Sequence, residues 1–540
     1  MGTRLIFVPG NHGRLELLCP KAIPVLLAEM LRCEGVSADY VDFSGLPILR
    51  DYPAVADDNS GSRSFLGMSQ LPFSSKVSGH IASEVLNTRL RQEILEEVLT
   101  TPAPSVIAWY VEGREDFSVA RELSGYIKEL SPNTHQTILG PYIIHYGAAS
   151  LNNVKSIDTG ITGDPVSVLA ALSTCVDNPE SQVRIPGLLF HTRSGLASSP
   201  RDVYPRRNVL SREFMFRDVR RQVPCEQAQL PLFPITFNCN TVSGYGLKPG
   251  IVRPLQKSAS QMIDEMYFLN RNHGAGAFHI EAAHVSGTTL ERFADTLLAN
   301  NFMSIFSLGE LTEAFDVKVA DRLFASGCRA VGFNTPTGSQ RLLEDFYGCE
   351  MSVSAMRATL RHCRAAGLFT VAHLCYPCPW DDYHTRAETD LFLEACRPDG
   401  ITIHAPELLP ESIWFSRAPA YGFVFDHRSF QQWVEGVETH HGHMPYRMQH
   451  WKRGRVAEAR RSLAAHAESL GCAVGITERH GLLARIARSE MDESLFLERL
   501  QQGLSVRDVD ELAALMQCIS NTLDTLHADS LLVGKAAEAL

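Results

Sequence analysis

In "ITFNCNTVSGYG", residues 235–246, Cys239 follows a short apolar run, with Ser243 four places on and Gly246 three further. Cysteines at all three positions would spell CxxxCxxC, a common iron–sulfur ligand loop; here only the first is present. A second pair, Cys375 and Cys378, stands in "HLCYPCPW". Thiolates bind soft metals, whereas a serine hydroxyl is a poor soft ligand and glycine offers none. CxxC with Cys239 does not complete a four-ligand zinc site. "FHIEAAHVSG" places Glu281 and His284 together, where a carboxylate and an imidazole could position a substrate or move a proton, or simply satisfy each other. Glu310 and Glu313 in "LGELTEAFD" carry the same two readings. "ETHHGHMPYRMQHW" holds His440, His441, His443 and His450, either a metal-binding tract or a loop over a site. "VPGNHGRLELL" puts Gly10, Asn11 and His12 after the first apolar run.

These groups need a scaffold, and the apolar pattern supplies one. At 540 residues two or three domains are expected. Residues 1–180 alternate strand and helix: strands at 4–10, 38–43, 105–111, 136–140 and 156–164, helices at 20–35, 82–99, 118–130 and 165–175. This alternation predicts a doubly wound, Rossmann-like sheet. Ligands of such sheets sit at the C-terminal strand ends, here near Gly10–His12, Val111 and Glu112, Gly140, Pro141 and Tyr142, and Gly163 and Asp164. Residues 181–230 are rich in Pro, Arg and Ser and read as a linker. From 231 to 415 six strands (233–239, 277–283, 303–309, 328–334, 369–375, 400–406) alternate with helices (258–271, 288–299, 316–326, 352–365, 384–396), predicting a complete or partial βα barrel. Barrel active sites lie at the C-terminal strand ends, where Cys239, Glu281, Gly309, Asn334, Cys375 and His404 fall. Residues 416–540 read as mostly helical.

Net charge is −11. That argues against a broad nucleic-acid surface, and the basic run at 204–222 reads as a solvated linker. No apolar span is long enough to cross a membrane, and the N-terminus lacks a secretory pattern. Thirteen scattered cysteines fit no disulfide framework and suit a reducing cytoplasm.

The order of parts resembles the cobalamin-binding radical S-adenosylmethionine superfamily over roughly residues 1–415. "ILGPYIIHYGAAS" sits where that family has a GGxH-type loop, and "IDTGITGDPVSVLAAL" resembles its "VDYVVxGEGE…L" turn. "VRPLQKSASQMIDEMYFL" resembles the element after the cluster loop. "LFASGCRAVGFNTPTGSQRLLEDFYG" resembles "LxxAGCxxVxxGxESGSxxxLxxxxKG", and "LFTVAHLCYPCPWDD…TDLFLEACRPDGITIHAPELLPES" resembles the end of the barrel. The resemblance implies an N-terminal cobalamin domain, a partial (βα)6 barrel and a variable C-terminal domain. It implies cobalamin and S-adenosylmethionine as cofactors, with Gly338 and Ser339 among the cofactor-binding residues, and a small-molecule substrate. Methyl transfer is the family's commonest role; rearrangement or cyclisation is the main rival, and a non-catalytic cobalamin binder is another class. His12 could ligate cobalt or be a polar loop residue. The departures are Ser243 and Gly246 in the cluster loop, Pro336 at the acidic position, and cysteines where two glycines are usual. Either the usual 4Fe–4S cluster is lost, or Cys239, Cys375 and Cys378 form a relocated site.

Overall fold

The computed structural model describes residues 2–7, 27–28, 31–32, 34–42, 95–96, 105–199, 232–237, 257–437, 445–506 and 511–523, apart from a few single positions within these ranges. Gly10, Asn11, His12, Cys239, Ser243, Gly246, His440, His441 and His443 lie outside the described residues.

The first sheet comprises β1 (Gly2–Phe7), β2 (Ser37–Asp42), β3 (Val106–Tyr110), β4 (His135–Leu139), β5 (Thr159–Ile161), β6 (Leu188–Thr192) and β7 (Gly195–Ser198), in the order β2-β1-β3-β4-β5-β6-β7. β1 to β5 are parallel; β6 and β7 add antiparallel strands at one edge. Every residue of β3 and β4 is buried, as expected for strands covered on both faces. β1 pairs with β2 on one side and β3 on the other, so the chain reverses direction there; such switch points form ligand crevices. The sheet runs on to Ser198, into residues assigned from composition to the linker. β6 buries Leu188–Phe190, whereas its turn and β7 are Gly- and Ser-containing and face outward as an edge strand does; the short apolar run among them is why the stretch read as a connection.

The second sheet is an open, parallel barrel. Its strands are β8 (Phe233–Thr236), β9 (Ala277–Glu281), β10 (Ile305–Leu311), β11 (Cys328–Asn334), β12 (Phe369–Cys375) and β13 (Gly400–His404), paired in chain order. A short β16 (Ala473–Val474) from the C-terminal region adds a seventh strand beside β13. Between them, β14 (Phe423–Val424) and β15 (Arg447–Met448) make a separate antiparallel pair. Side-chain caps start the intervening helices: Ser286 accepts from Thr289 N, Asp316 from Val319 N, Ser352 from Ala355 N and Asp382 from Thr385 N.

Two helices tie the halves together: α1 (Arg114–Leu130) of the first sheet and α2 (His427–Val434) of the C-terminal region. A helix leaves its last carbonyls without partners. At the end of α2, Trp433 O accepts from Arg114 Nε at 3.0 Å, Val434 O from Tyr142 Oη at 2.6 Å, and Glu435 O from Arg121 Nη1 at 2.6 Å. Cationic donors also suit the negative end of the helix dipole.

The C-terminal region is largely helical, but one of its helices belongs to the barrel. α3 (Glu478–Ala487) has eight buried residues among ten. Leu482, Leu483, Ile486 and Ala487 pack on Ala277, Ala330, Phe369 and Val371, the inward residues near the N-terminal strand ends. A Cβ at Gly481 would overlap the Phe369 ring. α3 therefore plugs the barrel from below, with its N-terminus pointing up the lumen. Among the described residues no helix is long and apolar enough to cross a membrane.

Candidate functional site

Parity along the strands sets what faces the lumen. Phe278, Ile280, Phe306, Leu308, Val331, Phe333, Ala372, Leu374, Ile401 and Ile403 belong to the core outside the barrel wall. Alternation then turns His279, Glu281, Ser307, Gly309, Gly332, Asn334, His373, Thr402 and His404 inward. Register aligns them: His279 with Ser307, Glu281 with Gly309, His373 with Thr402, and Cys375 with His404.

Glu478, the first residue of α3, is 6% exposed and enters this polar layer. Its Oε2 lies 3.1 Å from His373 Nε2, and its Oε1 lies 3.8 Å from His279 Nε2. His279 Nδ1 meets Ser307 Oγ at 2.9 Å. His373 Nδ1 meets Thr402 Oγ1 at 2.8 Å, and Thr402 Oγ1 meets His404 Nε2 at 2.7 Å. Burial opposes ionisation of Glu478, but the His373 hydrogen bond and the charges of His373, His279 and Arg479 outweigh it, holding the carboxyl at about 2. Two glycines make the space. A Cβ at Gly332 would overlap a Glu478 oxygen and lie 2.8 Å from His373 Nε2; one at Gly309 would lie 2.7 Å from Glu478 Oε1.

Above this layer the rim is acidic. Arg479 Nη2 lies 3.7 Å from Glu281 Oε1. Glu310 sits in β10 with φ +59°, where the pairing with β11 slips between Leu308 and Leu311. Such a bulge re-aims a side chain, and a non-glycine residue at positive φ is strained. Burial raises the Glu310 carboxyl above its ordinary range, and Glu478 and Glu112 add to this. The two halves face each other here. Tyr110, at the end of β3, accepts no proton loss easily: burial raises its phenol first, then Glu112 and Glu281. Its Oη donates to Glu112 Oε1 at 3.3 Å. The C-terminal strand ends of both sheets thus meet across one crevice.

The sequence-predicted residues divide. Glu281 is at this rim, beside Arg479; His284 is exposed on a left-handed turn with φ +56°, its N–H donating to Thr312. Glu112 lines the crevice. Gly140, with φ +111°, turns the chain so closely onto Val111 that a Cβ would overlap its carbonyl oxygen. Gly140→Ala is expected to destabilise the first domain by at least about 1–2 kcal/mol from the backbone alone, read as a lower urea midpoint. Pro141 starts a short helix in which Tyr142 stacks on Phe117 at 5.0 Å and holds α2. Gly163 packs its backbone against Gly187, and Asp164 caps the helix Pro165–Cys175. Gly338 packs tightly on Thr389 and Phe392, its N–H donating to Thr389 Oγ1 at 3.2 Å. Ser339 Oγ and the nearby Thr335 Oγ1 are fully buried hydroxyls without a hydrogen-bond partner. Buried hydroxyls are ordinarily satisfied, so these fit a polar ligand at the end of β11.

Cys375 and Cys378 are buried in an apolar cluster with Tyr446 and Trp414. Burial pushes the Cys375 thiol up to about 12 and the Cys378 thiol also upward, with Asp381 adding to the latter. Among the described residues no group of three His, Cys, Asp or Glu side chains is placed to hold a metal ion; Cys239 is outside them, and His450 is exposed. Sequence reading missed His279, His373, Thr402 and Glu478. The first three were available from parity in "FHIE", "VAHLC" and "ITIH"; nothing near Glu478 in sequence points to the barrel.

No protein-family model and no curated protein matches the chain. Solved structures do. The chain is similar to the radical S-adenosylmethionine methyltransferase TsrM from Kitasatospora setae with cobalamin and a [4Fe-4S] cluster bound, at 16% identity and TM-score 0.63, over 95% of this chain and 100% of that one. A second TsrM structure, with tryptophan substrate and an S-adenosylmethionine analogue, matches at 17% identity and TM-score 0.61, over 87% and 89%. The cobalamin-dependent S-adenosylmethionine radical enzyme OxsB matches at 10% identity and TM-score 0.52, over 99% of this chain and 80% of that one. The chain has the fold of the cobalamin-dependent radical S-adenosylmethionine enzymes.

Proposed function

We propose that the protein is a cobalamin-dependent enzyme that uses S-adenosylmethionine to methylate a small molecule held between the two sheets. The observation that carries this reading is the whole-length likeness to TsrM, joined to the facing strand ends described above. The residues that fit cobalamin are Tyr110, Glu112 and the backbone at Gly140–Tyr142, and by the family resemblance of their sequence Gly10, Asn11 and His12, which follow β1 in the chain. Those that fit S-adenosylmethionine are Thr335, Gly338 and Ser339, whose buried hydroxyls call for a polar partner. Bound there, cobalamin supplies a cobalt centre that can accept a methyl group and pass it on. Taking a methyl from a sulfonium is a polar displacement that needs in-line geometry rather than a radical. That suits a cluster loop with Ser243 and Gly246 in place of two thiolates.

A second reading, a radical enzyme with an unusual cluster, is favoured by one observation: TsrM is described with a [4Fe-4S] cluster bound. Anaerobic purification with hydroxocobalamin separates the two. The expected result is corrin absorption with cobalt equimolar to the chain and iron far below it. S-adenosylmethionine should yield S-adenosylhomocysteine without 5′-deoxyadenosine. Absence of corrin uptake would sink the proposal. Stoichiometric iron and sulfide, lost in a Cys239/Cys375/Cys378 triple alanine variant, would establish the second reading.

A further inference from the structure

We infer that Glu310 is the catalytic base of this reaction, taking the proton that a neutral N–H or O–H group of the acceptor loses as it is methylated. The acceptor rests on the methyl-transfer reading; the open, proton-exchanging state of the Glu310 carboxyl does not.

The bulge in β10 turns Glu310 into the lumen. Leu308 pairs with Val331 and Leu311 with Phe333, and all four belong to the core outside the wall. Between these pairs β11 has one residue, Gly332, and β10 has two, Gly309 and Glu310. Strict alternation would put Glu310 on the same face as Leu308. Two residues opposing one release it from that face. The charges acting on its carboxyl are on the lumen side: Glu478 and Arg479 of α3, His373 of β12 and Glu112 of the first sheet. Its φ of +59° is one that glycine adopts without strain; here the turn carries a carboxylate instead. The residue is partly exposed, so a proton can reach it from the crevice. Other carboxylates around the crevice are engaged: Glu478 with His373 at 3.1 Å, Glu112 with Tyr110 at 3.3 Å, and Glu281 beside Arg479 at 3.7 Å. Among the described residues the Glu310 side chain has no hydrogen bond or ion pair.

A carboxylate without a donor, set deep among other carboxylates, holds a proton more readily. Burial acts first on Glu310, and Glu478 and Glu112 add to it; the charges of His373 and Arg479 oppose the rise without cancelling it. The shift moves Glu310 toward the pH at which a general base is both ionised and basic enough to work. The transfer balances. A lone pair of the acceptor's nitrogen or oxygen forms the bond to the methyl carbon. The bond from that carbon to its carrier breaks, and its electrons stay on the carrier. The acceptor's N–H or O–H bond breaks, its electrons stay on the nitrogen or oxygen, and its proton joins a Glu310 carboxylate oxygen. Overall, S-adenosylmethionine gives up its methyl and becomes S-adenosylhomocysteine, with no net oxidation or reduction. An acceptor that is already anionic needs no such base, and the carboxylates of Glu112, Glu281 and Glu478 would repel it.

The test has two arms, both on the full chain. Without cofactors, infrared spectra of the wild type minus those of Glu310→Gln, recorded against pH, isolate this one carboxyl; Asp381, which burial also raises, cancels in the subtraction. The carbonyl band of a protonated carboxyl should persist above the ordinary glutamate range and disappear as pH rises further. With cobalamin bound, the probe is methyl-tritiated S-adenosylmethionine together with a protein-free small-molecule extract of the source cells. Label transfer by the wild type should rise with pH as the infrared band is lost, then level off. Glu310→Gln should be slower by about 10²–10⁴-fold and indifferent to pH across that window. Glu310→Asp should restore part of the rate and the pH dependence, which a merely structural glutamate would not supply. A Glu310→Gln chain with the wild-type rate and pH profile would overturn the inference, as would a Glu310 carboxyl that ionises in the ordinary range. Failure of the methyl-transfer reading would show separately, as no S-adenosylhomocysteine from the wild type, whatever the infrared titration gives.

Discussion

Replacing Glu478 by alanine is expected to destabilise the folded chain by roughly 3–5 kcal/mol, the range for breaking a buried ionic or charge-assisted pair from one side. The carboxylate is the common partner of His279 and His373 and lies at the tip of the helix that plugs the barrel. Without it, two imidazoles face a void, and α3 keeps its apolar packing and the more peripheral Arg479–Glu281 and Arg485–Glu493 contacts. Urea unfolding followed by circular dichroism measures the loss. The same group sets a pH dependence. Its folded value of about 2 is depressed from an ordinary 4.5. Its contribution is therefore complete above the unfolded value and is lost as pH falls from there through the folded value. The wild type should lose stability steeply over that window, and Glu478→Ala should show a flatter profile. Equal slopes in the two proteins would mean that the carboxylate is not held ionised as the geometry requires.

Gly332→Ala is expected to have an effect of comparable kind. The added methyl overlaps a Glu478 oxygen and crowds His373 Nε2. Neither can withdraw without breaking the hydrogen bond between them, so the overpacking cost is about 1–3 kcal/mol or more. The decisive measurement is a double-mutant cycle. In a Glu478→Ala background the overlap with the carboxylate is gone and only the 2.8 Å approach to His373 Nε2 remains, so Gly332→Ala should cost distinctly less than in the wild type. Residues in contact couple in this way, whereas independent sites add. Strict additivity would show that Gly332 is required for its backbone rather than for the space it leaves to Glu478.

Both predictions concern residues whose meaning comes from different levels of the molecule. Strand and helix periods were legible: β11 and β12 fall at the residues expected, 328–334 and 369–375, and the helix after Asp164 spans 165–175 as read. Buried strands and capped amphipathic helices write their pattern locally, so the doubly wound sheet and the parallel barrel could be anticipated from short windows. Local pattern misjudged the stretch at 188–198: the apolar run Leu188–Phe190 of β6 is buried, but it is short and lies among the polar residues of the turn and of β7, so the composition of the whole stretch hid it.

The candidate site was legible only in part. Glu281 and Glu112 lie at strand ends where a parallel sheet exposes its functional edge, and a topological rule suffices to place them. His279 and His373 needed parity and register together, because one step of register turns a side chain from lumen to wall. Glu478 could not be found from sequence at all. It lies 105 positions from His373, on a helix whose ordinary apolar pattern does not say which surface it covers. The sequence determined the elements, the order of the two sheets and the cysteines absent from the cluster loop, since each depends on residues close in the chain. The tertiary structure alone decided that a C-terminal carboxylate completes the barrel's polar interior, because burial, hydrogen bonding and the space left by Gly309 and Gly332 arise only when distant segments pack.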